Sequence, residues 1–87
     1  MQVKYLVQVI GSRSDTYTFP DESKITGTRF FSEFKDPNID GVGTLDFFVN
    51  QQSMDFEIIS KQKLPFYAIV YKTNKKWQFL QLSNGPK

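Results

Sequence analysis

The sequence predicts an α+β, mainly β fold: a small antiparallel sheet or partly open barrel of five to six strands with one short helix. Three observations carry this. Apolar residues recur every second position through most of the chain, the period of a half-buried strand. Gly, Pro, Asn, Asp and Ser punctuate those runs at short intervals, as turns between strands require. The 87 residues are enough for one core and no more, so residues 1–87 are read as a single domain.

Taken in order, Val3, Tyr5, Val7 and Val9 alternate with Lys4, Leu6, Gln8 and Ile10, a strand apolar on both faces and therefore central. Gly11-Ser12-Arg13-Ser14-Asp15 has the composition of a turn, and Thr16 to Phe19 reads as a second strand stopped by Pro20, closing a hairpin. From Asp21 to Lys35 the spacing changes. Ile25, Phe30, Phe31 and Phe34 fit one side of a helix, so the short helix is placed from about Thr28, with its Phe cluster laid on the sheet as core.

After Phe34-Lys-Asp-Pro-Asn-Ile-Asp-Gly-Val-Gly, two alternating runs follow, Leu45 to Asn50 and Met54 to Ile59, read as strands of one hairpin. The competing reading of residues 53–63 is a helix opened by Ser53, because Asp55 and Glu57 would lie near its N-terminus and Lys61 and Lys63 near its end. Phe66 to Lys72 and Trp77 to Leu82 are strands joined by the turn Thr73-Asn-Lys-Lys76.

Composition narrows the function. The chain has neither Cys nor His, which removes Ser-His-Asp and Cys-His catalysis, Cys-based zinc sites and a disulfide framework. The expectation is a protein that is not an enzyme. The N-terminal run is too short and too interrupted for a signal peptide and no stretch reaches a membrane-spanning length, so an intracellular, cytoplasmic location away from membranes is expected. Charge is uneven: residues 1–60 carry five basic and nine acidic side chains, whereas residues 61–87 carry six Lys and no carboxylate side chain. A one-sign field of this kind steers anionic partners.

Two stretches carry site chemistry. Asp36-Pro-Asn38-Ile-Asp40-Gly sets three oxygen-bearing side chains at alternate positions before a Gly, the way a loop wraps a hard cation. The pattern resembles the opening half of an EF-hand-type calcium loop, and it names Asp36, Asn38 and Asp40 as candidate Ca²⁺ ligands. Phe47 stands where such a loop has its bidentate Glu. The alternative is that Asp36-Pro37 and Asp40-Gly41 are turn dipeptides with solvated carboxylates. With Ca²⁺ set aside, no cofactor is implied.

The second stretch is the C-terminal hairpin. Pairing Lys72 with Trp77, Val70 with Phe79 and Ala68 with Gln81 puts Trp77 and Phe79 on one face beside lysines, and Ile69, Leu80 and Leu82 on the other. If the aliphatic face is core, Tyr71, Lys72, Lys75, Lys76, Trp77 and Phe79 form an accessible basic aromatic surface. The leading expectation is a small non-catalytic binding module, an accessory or inhibitory protein that meets a protein partner through an aromatic β face or a sheet edge. The alternative is single-stranded nucleic-acid binding, in which bases stack on the rings and lysines neutralise phosphates. An uncovered edge would also allow a homodimer by strand pairing.

Overall fold

A computed structural model describes residues 3–36, 38, 40–74 and 76–85. Five strands form one antiparallel sheet: β1 (Lys4–Thr18), β2 (Lys24–Phe34), β3 (Gly43–Asn50), β4 (Phe66–Thr73) and β5 (Lys76–Ser83), in the order β3-β2-β1-β4-β5, with one helix, α1 (Met54–Ile59), between β3 and β4. The mainly β class with five strands and one short helix agrees with the reading from sequence. The helix, however, stands elsewhere, and the first hairpin is built differently.

β1 is the spine. Its first half pairs with β4, from Lys4 opposite Tyr71 to Val9 opposite Phe66, and from Gln8 onward it pairs with β2 to the end. The expected turn at Gly11–Asp15 does not form. The register with β2 shifts between Val9 and Gly11, so Ile10 is an extra residue in a bulge and the strand runs on through Thr18. Gly11 then lies opposite Phe31, whose ring approaches to 4.0 Å of the place a β-carbon would take. The turn falls at Phe19–Ser23 instead. There Phe19 donates to the Ser23 carbonyl and Glu22 to the Phe19 carbonyl, at 2.8 and 2.9 Å, and the Asp21 carboxylate accepts from the backbone and hydroxyl of Ser23.

The segment expected to be helical from Thr28 is β2. Phe30 faces inward with Ser32, while Phe31 faces outward and is about one-third exposed. Phe residues on both faces of a strand imitate a helical spacing, and the β-branched Ile25, Thr26 and Thr28 favour the strand. Met54–Ile59, for which the alternation favours a strand, is helical. Ser53 caps the helix by accepting from the Asp55 amide at 3.1 Å, and Asp55 and Glu57 occupy the first turn. Phe56 and Ile59, three apart, face the core, whereas Met54 and Ile58 point to solvent. A strand would have put Met54, Phe56 and Ile58 on one side.

The core lies on one face of the sheet, closed by α1: Val7 and Val9 of β1, Phe30 of β2, Leu45, Phe47 and Val49 of β3, Phe66, Ala68 and Val70 of β4, Phe79 of β5 and Ile59. Ser32 is the buried polar residue among them, and its hydroxyl donates to the Leu45 carbonyl at 3.0 Å. The sheet curls until its edge strands approach, so that Phe47 stacks on Phe79 with centroids 6.3 Å apart. Run through the order of the sheet, β3 and β5 lie parallel to one another.

Candidate functional site

The pairing expected for the last hairpin is correct at Lys72–Trp77 and Val70–Phe79. Beyond them a second bulge between Ile69 and Val70 skips Leu80, so Ala68 faces Leu82 and not Gln81. The bulge brings Leu82 onto the face of Ala68 and Val70, and that face, not the one carrying Ile69 and Leu80, is the core. Phe66, Ala68, Val70 and Phe79 are inside, Leu82 packs against them, and Leu80 is exposed.

The six hairpin residues named from sequence therefore do not form one accessible surface. Phe79 is 7% exposed and belongs to the core. Trp77 is half-buried, its ring 5.1 Å from Tyr5, and the Lys72 ammonium lies 5.6 Å from the Trp77 centroid. Tyr71 is half-buried opposite Gln78, on the other face from Trp77. Lys75 lies outside the described residues. Lys76 reaches away from the hairpin altogether, placing its ammonium 5.5 Å from the centroid of Tyr17, near the end of β1.

That contact marks a cleft of about 510 Å³ in which Lys76, Trp77 and Gln78 face the tip of the first hairpin, Tyr17 and Phe19, across the outer side of β2 and β3 at Arg29, Asp46 and Phe48. The cleft follows from the curl of the sheet, which brings the start of β5 beside that hairpin. Tyr17 and Phe19 are 45% and 39% exposed and meet edge to face at 4.8 Å. Their hydroxyl-bearing and apolar rings are thus held by each other and by a cation, with open faces left over.

Along the outer side of β1, β2 and β3 the same pairing of cation and ring recurs. The Arg29 guanidinium lies 5.8 Å from the Phe48 centroid, and Arg13 lies 5.5 Å from that of Phe31. Phe48 fits because Gly27 has no side chain: a β-carbon there would come within 2.7 Å of the Phe48 ring and 2.1 Å of the Val49 carbonyl oxygen. Arg29 is also held by Asp15 at 3.0 Å and Asp46 at 2.7 Å. The hydrogen bond from Arg29 is the main cause that holds the Asp15 carboxyl below its ordinary range, and the two carboxylates raise Arg29 further. Arg29, Asp15 and Asp46 together carry one negative charge, so the face is only mildly charged.

In the loop between β2 and β3, the Asp36 carboxylate accepts from the Asn38 amide at 2.9 Å, which is the turn-forming use of Asp. Asn38 and Asp40 are exposed, and Gly41 takes a left-handed φ of 87°. Among the described residues no group of three or more Asp, Glu, His or Cys side chains is arranged to hold a metal ion.

Reasoning from sequence overlooked Tyr17, Phe19, Arg13, Phe31 and Phe48. The interleaving of Arg13, Tyr17 and Phe19 was visible, but reading residues 11–15 as a turn hid that they lie on one strand and its exit. Phe31 adjoins Phe30 in a cluster whose spacing reads as core. No protein-family model matches the chain, and comparison with curated proteins and with solved structures gives no match.

Proposed function

We propose that this protein is a non-catalytic, intracellular binder of single-stranded nucleic acid, and that the strand lies in the cleft between Tyr17, Phe19, Phe48 and the start of β5. The observation that carries the reading is the Lys76–Tyr17 contact, which sets an ammonium and partly exposed rings side by side at the mouth of the cleft. Stacking on a ring is worth roughly 1–3 kcal/mol per base, and a neighbouring lysine answers the phosphate. Layout supports the same reading. The order β3-β2-β1-β4-β5, the long bulged β1 shared by both halves and the helix between β3 and β4 resemble the five-stranded OB-type barrel, whose β2–β3 face and first and last hairpin loops take oligonucleotides and oligosaccharides. Fold likeness does not assign function by itself. Here the side chains favour nucleic acid over a neutral sugar, because cations accompany the rings.

The test is fluorescence anisotropy of labelled oligo(dT) at low salt, with Trp77 emission as an internal reporter. Saturable binding is expected, weakened by Tyr17→Ala by roughly 1–3 kcal/mol and weakened as well by Lys76→Gln. Because few cations line the cleft, the log-log salt slope should be shallow, about −0.7 for each phosphate contacted. No saturable change at low salt would remove the proposal.

A protein partner is the second reading. It is favoured by Leu6, 38% exposed opposite Ile69, and by the bulge residues Ile10 and Leu80, all apolar and exposed. These residues lie on β1, β4 and β5, apart from the residues of the cleft.

A further inference from the structure

We infer that the nucleic-acid path does not end in the cleft but continues across the outer face of the sheet to a second stacking position at Phe31 and Arg13. This rests on the single-strand reading above and defines its footprint. The outer face repeats one unit three times, a cation over a ring: Lys76 on Tyr17, Arg29 on Phe48 and Arg13 on Phe31. The register orders them. Tyr17 is level with Ile25 of β2, Phe48 is level with Arg29, and Phe31 lies two residues farther on. From the level of Ile25 to Phe31 is six residues of strand, about 20 Å. Such a run suits several nucleotides, at the short end of the ~4–16 found for one five-stranded domain.

The three positions differ in what they offer. Arg29 is engaged by Asp15 and Asp46, so the middle unit is a braced platform whose charge is already answered. The outer two carry the cations that can turn to phosphate. Phe31 is 36% exposed and forms no part of the core, although the strand residue before it is buried. A large apolar ring placed outward beneath an arginine, opposite a glycine that leaves its β1 side open, presents a face of the size of a base. Arginine stacks on rings and bases alike, so Arg13 can keep one face on Phe31 and still give its edge to the backbone. Asp15 is level with Gly27 and Asp46 with Phe31, so a carboxylate borders the path on each side of Arg29, which binds both; this fits a strand whose bases and not its phosphates face the sheet there.

Two oligo(dT) lengths separate this from the parent reading. A trimer is short enough to occupy the cleft alone, and an octamer reaches Phe31. The octamer is expected to bind the native protein more tightly than the trimer, Phe31→Ala to weaken the octamer about tenfold with little effect on the trimer, and Phe31→Trp to restore it. Arg13→Gln, a change at an exposed position, should weaken the octamer in the same selective way. Far-ultraviolet circular dichroism and the melting temperature report whether each variant is folded. Equal octamer binding by native, Phe31→Ala and Arg13→Gln proteins, alongside loss of both lengths in Tyr17→Ala, would overturn the second position while leaving the cleft intact. Failure of the native protein to bind either length would overturn both.

Discussion

Among single residues, the molecule separates rings that hold it together from rings left for other uses. The sequence reading puts Phe31 in the core and Phe79 on the surface, and the structure exchanges them, with Phe79 7% and Phe31 36% exposed. Phe79→Ala should therefore cost about 3–5 kcal/mol of stability, measured by urea denaturation, whereas Phe31→Ala should cost far less. Arg29 is the residue on which the charged outer face depends, because it answers two carboxylates at once. Asp15 titrates below its ordinary value of 3.8 in the folded protein, chiefly through the Arg29 hydrogen bond. A carboxyl whose folded pKa is depressed contributes stability above its unfolded pKa and loses it as pH falls through the folded one. The contribution of Asp15 should accordingly be lost as pH falls through its lowered value, and Arg29→Met should remove it, as followed by thermal melts at acid pH.

Secondary-structure elements owe their placement here to irregularities more than to periods. The alternation in residues 3–10, 45–50, 66–72 and 77–82 was legible and gave four of the five strands, together with the hairpin pairing next to Asn74. What was not legible were the bulges at Ile10 and Leu80, since an extra residue in a strand leaves no composition signal and yet moves every later side chain to the other face. The first bulge disguised a continuous β1 as a hairpin. The second carried Leu82 to the inner face, beside Phe79, which lies in the core and not on an accessible surface. The helix at Met54–Ile59 was visible only in its cap and first-turn acids. Removing that cap by Ser53→Ala should cost about 0.5–2 kcal/mol, and Ile59→Ala, which empties a fully buried position on the same helix, about 2–5 kcal/mol. Gly27→Ala tests the seating of β2 against β3, because its β-carbon has no room beside Val49 and Phe48. Its effect should exceed about 1 kcal/mol, in the range of overpacked sites.

For the whole molecule, curl is the property that joins fold to proposed function. A flat five-stranded sheet would hold the first hairpin and the start of β5 far apart. Wrapped about Phe30, Phe47, Phe66 and Phe79, it brings Tyr17 and Lys76 into contact and leaves a cleft between them. The basic C-terminal segment foreseen from charge lines this cleft through Lys76 and not as a self-contained hairpin surface. Its aromatic partners come from the acidic first half of the chain, a juxtaposition that only the curl of the sheet reveals.

The most direct measurement is a chemical-shift map of the ¹⁵N-labelled protein during titration with oligo(dT) at low salt. Shifts are expected to gather at Tyr17, Phe19, Arg29, Phe48, Lys76 and Trp77 and to extend with longer strands to Arg13 and Phe31, while Leu6, Ile69 and Leu80 stay unmoved. Saturable shifts confined to Leu6, Ile69 and Leu80, or none at all, would contradict that expectation.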